Sequence, residues 1–488
     1  MSSLLTNKSA MVALQTLKTI NMNLSKTQGE ISTGKRVATA KDSSSIWAIS
    51  KVMEADVKGF KGITESLALG ESTLAVARQG SETITDLLTD IKSRIVAAQE
   101  ENVDRSKIQT DIAALRDQIT SVVNAAQFNG LNLLKGTDDM NILSSLDRAA
   151  DGSVTASNIT ISRQDMSTTA GVLGGGTDLS PNATLSAAAA SNAGNTATVT
   201  IANDGDLSDN AITVNVGGAT LTYSAGQLSG DQDAGAATIS GAINALGIVG
   251  VTASAAGGVV TLSSTRAFED VALTSTGATA SAATISERSE SLSFSGSANV
   301  AEGDGYQVTV GSNTFTYVAG KGESFEDVTK GLKAAVDGGT IAGVSTQATK
   351  NASDQWVLKI DNDAATSQSL ARAGAAGGTA SGGLFGLDTI DVTSNAGANA
   401  ALGNIETLIN NSIDGAAAFG SAMGRIETQS SFIGKLTDSL KAGIGTMVDA
   451  DMEEASARLQ ALQVQQQLGV QALSIANQAP QSILSLFR

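Results

Sequence analysis

The two ends of this chain carry apolar residues spaced alternately three and four apart, over stretches longer than an ordinary globular helix. From Ile46 the spacing runs through Ile49, Met53, Asp56, Phe60, Ile63, Leu67, Gly70, Leu74, Ala77, Ser81, Ile84, Leu88, Ile91 and Ile95. A 3.5-residue repeat keeps one stripe facing a partner helix along its whole length. At 1.5 Å per residue the element spans about 80 Å. A second run, Ile108, Ile112, Leu115, Ile119, Val122 and Ala126, predicts a helix folding back antiparallel, with the turn at Glu101–Asp104. Gly130 reads as its stop. Near the other end the spacing returns through Ile405, Ile409, Phe419, Met423, Ile426, Ile433 and Leu440. It continues less cleanly through Met452, Leu459, Leu462 and Leu473 to Ile483 and Leu484. The first 35 residues hold a weaker version: Leu17, Ile20, Leu24 and Ile31. None of these helices buries its stripe alone, so helices from opposite ends of the chain are expected to pack together. Asp56 on the stripe reads as a register-setting polar residue or as one paired with a neighbour.

The centre is different in composition and charge. Residues 151–400 hold 9 Lys and Arg against 23 Asp and Glu, so −14 of the chain's net −17 lies there. Short alternating segments bounded by Gly, Asn and Asp read as strands and turns. The centre also repeats. ITVNVGGATLTYSAG at 212–226 matches YQVTVGSNTFTYVAG at 306–320 without a gap, at an offset of 94. Each copy is followed by a short helical pattern, Ala237–Leu246 or Phe325–Val336, and then by a second strand pair. The reading is two β-β-α-β-β modules, at about 195–264 and 290–362.

The fold expected is therefore multi-domain α + β. A long antiparallel helical bundle drawn from both termini carries a β-rich central outer domain. The segments are 1–44 and 448–488 for an inner helical pair and 45–178 for long helices with a β-hairpin region. The outer domain takes 179–396, and a returning long helix takes 397–447.

Composition removes most chemistry. The chain has no cysteine and no histidine, which excludes thiol and Ser-His-Asp catalysis and the HExxH zinc site. Its acidity argues against nucleic acid, which needs clustered Lys and Arg. No apolar run approaches the ~18 residues of a membrane span. An A-x-A cleavage pattern is missing near the start, so no cleavable signal is expected. Gly29–Lys35 has the GxxxxGK spacing of a phosphate loop, but Arg36 stands where Ser or Thr is needed and no strand precedes it. A loop between two helices is the reading. Asp204 and Asp206, with Asp209 close by, and Asp231 and Asp233 include i, i+2 pairs. They depart from the calcium-loop pattern and read as solvated turns. Trp47 and Trp356 read as core rather than as a sugar platform. No enzyme, cofactor or metal is expected.

At this point the ends become recognisable. EISTGKRVATAKDSSSIWAISKVMEADVK at 30–58, AQFNG at 126–130 and the tail ALQVQQQLGVQALSIANQAPQSILSLFR resemble the bacterial flagellins. The resemblance covers about residues 1–165 and 397–488. It implies a structural subunit that self-assembles into the helical, extracellular flagellar filament for swimming motility. It implies export unfolded through the flagellar type III channel, and partners that are other copies, the filament cap, hook-associated proteins and an export chaperone. On this analogy Leu17, Ile20, Leu24, Ile31, Met452, Leu459, Leu462, Leu473, Ile483 and Leu484 pack between subunits, and the longer stripes form the surrounding seam. Flagellins sensed by the animal Toll-like flagellin receptor carry LQRxRELAVQ on the first long helix. Here the aligned stretch holds Asp90, Ser93 and Arg94, departures that imply poor receptor activation. Two alternatives stay open: a hook–filament junction protein, or a filament subunit whose outer domain is also an adhesin.

Overall fold

The computed structural model describes residues 7–149, 153–202, 207–209, 211–228 and 230–484. Helices α1 (Lys8–Thr33), α2 (Ser44–Ala97) and α3 (Arg105–Ala125) open the chain. Asn7 starts α1 by accepting from the Ala10 N–H, and Gly34 ends it at φ +68°, a left-handed cap that suits glycine. The GxxxxGK spacing is thus a helix end followed by a loop. Asp104 caps α3 by accepting from Lys107 N–H, so the reversal falls where the sequence placed it. Gly130 does not stop the helix. α3 already ends at Ala125, and Asn129 (φ +50°) and Gly130 (φ +82°) form the tight turn between β1 (Gln127–Phe128) and β2 (Leu131–Asn132). Two successive positive φ values are what a two-residue hairpin needs.

The β-rich part follows. A hairpin pairs β3 (Met140–Arg148) with β4 (Val154–Ile161). Then come β5 (Ala183–Leu185), β6 (Ala189–Ala190), β7 (Asn195–Thr200), β8 (Ile212–Val216) and β9 (Ala219–Tyr223). Helix α4 (Gln232–Ala245) precedes β10 (Val251–Ala256), β11 (Val259–Ser264), β12 (Val271–Thr276), β13 (Thr279–Ala280) and β14 (Thr284–Ile285). The second set is β15 (Glu290–Phe294), β16 (Gly305–Val310), β17 (Asn313–Val318), α5 (Phe325–Gly338), β18 (Val344–Lys350), β19 (Trp356–Asn362) and β20 (Gln368–Ala375). Helices α6 (Asn395–Val448) and α7 (Met452–Leu484) close the described chain.

By compactness the chain forms two units, Met1–Ser72 with Asn141–Ile161 and Met423–Arg488, and Thr73–Met140 with Ser162–Ala422. Helices α2 and α6 contribute to both.

In the first unit α1 and α7 run antiparallel. Asn7 Nδ2 donates to Ala476 O at 2.8 Å, Gln466 Nε2 to Asn21 Oδ1 at 2.7 Å, and Arg36 N–H to Val448 O at 2.7 Å. The β3–β4 hairpin lies against α2 at two glycines. A Cβ on Gly59 would stand 2.9 Å from Leu146 Cδ1, and one on Gly70 only 2.2 Å from Ile142 Cδ1. Glycine costs a helix interior about 1 kcal/mol relative to alanine. Here it admits the hairpin. Asp56 pairs with Arg148 of β3 at 2.5 Å, which settles its place on the stripe.

The second unit contains a helical part and two modules. Ile84, Leu88, Ile91, Ile95, Ile112, Ile119, Ile405 and Phe419 are fully or almost fully buried. Ser412 Oγ, also buried, donates to Ser81 O at 3.0 Å, joining α6 to α2. Each module has two four-stranded antiparallel sheets and one helix. The first has β13-β7-β11-β10 and β14-β12-β8-β9; the second has β5-β15-β19-β18 and β6-β20-β16-β17. The repeat is therefore longer than the five elements legible in sequence. β7 pairs with β11 as β15 does with β19, and β12 pairs with β8 as β20 does with β16. Each module opens on a further strand inside the expected bounds, β7 or β15, and closes on a strand beyond them, β12 or β20. Ile239, Ile243, Val214 and Leu262 fill the first core. Phe294, Tyr306, Phe325 and Leu358 fill the second, with Phe294 and Phe325 stacked at 5.2 Å between ring centroids. Trp47 and Trp356 are only half-buried. Trp356 sits at the rim of the second core, with Lys330 and Lys350 Nζ 5.5 and 5.4 Å from its ring centroid.

Candidate assembly surfaces

The first unit places Leu17, Ile20, Leu24 and Ile31 on one face of α1, half-buried, with Thr27 buried between them. On α7 the covered positions are Ala455, Leu459, Leu462, Gln466, Gly469, Leu473 and Ala476, an unbroken 4-3-4-3-4-3 spacing. Gly469 lies against α1: a Cβ there would stand 3.2 Å from Leu17 Cδ1 and 3.7 Å from Ile20 Cδ1. Leu462 is 8% exposed. Met452 is not part of this seam. It is the first residue of α7 and is 44% exposed, because the covered row starts three residues later at Ala455. Ile483 and Leu484 end α7; their side chains lie outside the described ones.

The longer stripes are placed as follows. Phe60, Ile63, Leu67, Leu74, Ile84, Leu88, Ile91 and Ile95 of α2 are buried; Ile46 is half-buried. Ile49 is 53% exposed. From Ile46 the covered face takes the four-residue step to Ser50, which is 2% exposed, rather than the three-residue step to Ile49. On α3 Ile112 and Ile119 are buried and Leu115 is half-buried; on α6 Ile405, Ile409, Phe419, Ile426 and Ile433 are buried, and Met423 and Leu440 half-buried.

Sequence periodicity missed a second set. Met11, Leu14 and Met22 of α1 are 63%, 57% and 59% exposed. Val464, Leu468, Val470 and Ile475 of α7 are 55%, 57%, 54% and 69% exposed. They fall outside the row that each helix presents to the other. The signal available was the excess of apolar residues off the heptad phase. Covering one Leu or Ile contributes about 1.5–3 kcal/mol, so these faces favour association in water.

Asp90 and Ser93 project from α2, exposed; Arg94 reaches Asp111 of α3 at 3.9 Å, and Lys92 pairs with Glu406 of α6. Asp42, in the loop after α1, accepts from the Thr39 and Ala38 N–H groups, and its carboxyl is held below the usual aspartate range mainly by the Thr39 backbone bond. Of the acidic turns, Asp204 and Asp206 lie outside the described residues. Asp209 ends a short 3-10 turn, Asp231 caps α4 by accepting from Ala234 N–H, and Asp233 lies in that helix's first turn. Among the described residues no group of three or more carboxylates is placed to hold a metal. A cavity of about 240 Å³ in the second unit is lined by Arg163, Lys321, Glu323 and Asp327 among others. Glu323 there accepts from Gly320 N–H and Tyr317 Oη, and burial pushes its carboxyl up.

Comparison with known proteins shows the family. Residues 4–139 match the model of the bacterial flagellin N-terminal helical region, and 402–487 that of the C-terminal helical region. Flagellin A of Rhizobium meliloti is 30% identical over 496 residues, covering all of both chains. The chain belongs to the flagellin family. Flagellin A of Rhizobium meliloti strain 1021 is 31% identical over 500 residues, again across both chains. A solved flagellar hook associated protein-3 from Legionella pneumophila covers 81% of this flagellin and 98% of its own chain, at 11% identity and a TM-score of 0.34. That likeness is too weak to favour a junction role. Flagellins are structural subunits of the extracellular flagellar filament, and membership implies polymer assembly. Among the described residues no helix is long and apolar enough to cross a membrane.

Proposed function

We propose that this flagellin assembles through the apolar rows that α1 and α7 leave exposed, and that its motility filament is built on them. The observation that carries the reading is the double character of these helices. One row closes the α1–α7 pair within a copy, and a second row, including Leu14, Met22, Leu468 and Ile475, faces water. A single copy offers that second row no partner among the described residues; another copy does. Leu459 and Leu462 then act by holding the pair together, and the exposed row makes the contact between copies. The half-buried Met423 and Leu440, and exposed Phe432 (56%), extend the same logic along α6.

The family likeness supports the finer parts. The subunit leaves the cell unfolded through the flagellar secretion channel, escorted by an export chaperone. It adds beneath the cap and joins the hook through hook-associated proteins. Exposed Asp90 and Ser93 replace an arginine and a glutamate of the receptor-binding motif. A reversed charge at an interface costs several kcal/mol, so the subunit activates the animal Toll-like flagellin receptor poorly. Two measurements test the reading. Purified full-length chain, seeded with filament fragments, should grow filaments visible by electron microscopy; persistent monomer would contradict it. Receptor reporter cells should respond far less than to a motif-bearing flagellin, and an equal response would remove the receptor part.

A further inference from the structure

We infer that the loop after α1 forms a basic groove that receives the acidic start of α7 from a second copy. The inference rests on the assembly reading above and names the partner segment. A groove of about 1020 Å³ lies between α1 and residues 33–42. Leu14, Leu17 and Met22 give it an apolar lining. Lys18, Lys26, Lys35, Arg36 and Lys41 line it too, against only Glu30 and Asp42, in a chain whose net charge is −17. Lys18 and Lys41 are exposed and make no ion pair or hydrogen bond among the described residues.

The complementary segment is Asp449–Glu454. It holds four carboxylates, Asp449, Asp451, Glu453 and Glu454, around Met452, which is 44% exposed. No Lys or Arg occurs between Lys441 and Arg458. Asp451 spends one oxygen capping α7, accepting from the Glu453 and Glu454 N–H groups. The carboxylates of Glu453 and Glu454 have no partner among the described residues. Within one copy the basic loop and the acidic turn are neighbours, joined through backbone at Lys35 and Asp449. Yet none of the four carboxylates lines the groove. Lys26 already pairs with Glu30 at 4.0 Å and Lys35 with Glu54 at 3.7 Å, so each copy presents Lys18 and Lys41 in the groove beside Glu453 and Glu454 in the adjoining turn, all four without an ion-pair partner among the described residues. A contact between unlike patches of two copies is heterologous, and such contacts build rings when the rotation closes and open helical filaments when it does not. Opposite charge with an apolar centre on each side fixes its register.

The test uses the full chain and seeded polymerisation followed by light scattering. Lys18→Glu/Lys41→Glu and Glu453→Lys/Glu454→Lys should each slow growth about tenfold or more. A 1:1 mixture of the two variants should grow near the wild-type rate, because each supplies the charge that the other lacks. The four substitutions in one chain should do the same. The mixture also shows that both variants fold. Wild-type growth by either pair, or slow growth that neither the mixture nor the combined variant restores, would overturn the inference. A Leu468→Asp chain that fails to grow while both charge variants grow normally would overturn this inference alone and leave the general assembly reading standing.

Discussion

Asn195 Nδ2 donates to the backbone carbonyl of Glu287 at 2.7 Å, so the chain enters and leaves the first β module at adjacent points. A module whose two ends touch can be excised without stretching what remains. Joining Asn195 directly to Glu287 should leave the second module folded and filament growth intact. Differential scanning calorimetry and seeded growth check this; loss of growth would show that the first module is needed for assembly.

The next link is electrostatic. Arg288 is 7% exposed and forms a two-pronged pair with Asp361 of β19, both contacts at 2.8 Å, and a third contact with Asp363 at 2.9 Å. These carboxylates raise the guanidinium's already high pKa further. Arg288→Met should destabilise the second module by about 3–5 kcal/mol, because it leaves Asp361 buried and uncompensated. Arg288→Met with Asp361→Leu should recover most of that. Denaturant melts of the three chains measure the difference.

Glu323 gives the second module a pH dependence of identifiable sign. Burial raises its carboxyl above the ordinary glutamate value in the folded state. The folded module then holds a proton that the unfolded chain has already released. Stability from this group is fully present below the ordinary glutamate pKa and is lost as pH rises through the raised value. Glu323→Gln should flatten that slope. Parallel slopes for wild type and variant across pH 4–8 would show that the group does not govern it.

Two glycines of α2 should respond oppositely to the same change. A Cβ on Gly70 would meet three carbons of Ile142, at 2.2, 3.0 and 3.2 Å, whereas Gly62 has nothing within 4 Å. Gly70→Ala should cost about 1–3 kcal/mol by displacing the hairpin. Gly62→Ala should stabilise by about 0.4–1 kcal/mol through lower unfolded-chain entropy. Thermal melts check the sign at each site.

Much of this architecture was legible because long helices impose one period over many turns. The α2 stripe from Phe60 to Ile95 and the α6 stripe from Ile405 to Ile433 follow from spacing alone. The exposure of Ile49 within one copy has the same origin. Three- and four-residue steps are both helical neighbours, and only the structure shows that Ser50 takes the covered place. In the modules, recognisable identity marks Val214, Val216, Thr222 and Tyr223 and their counterparts. β12 and β20 lie beyond the expected module ends and are held by backbone pairing, which many small and β-branched residues satisfy, so sequence hid them. The exposed rows on α1 and α7 were hidden for another reason. Periodicity finds the strongest stripe on a helix, and a second stripe becomes visible only once the first is known to be covered.

The most direct test changes only the exposed row. Leu468→Asp with Ile475→Asp leaves the covered residues Leu459, Leu462 and Leu473 unchanged, and both altered side chains are more than half exposed. The account predicts a monomer of wild-type helical content by circular dichroism that adds to no seed and grows no filament. Filaments growing at the wild-type rate from that chain would contradict it.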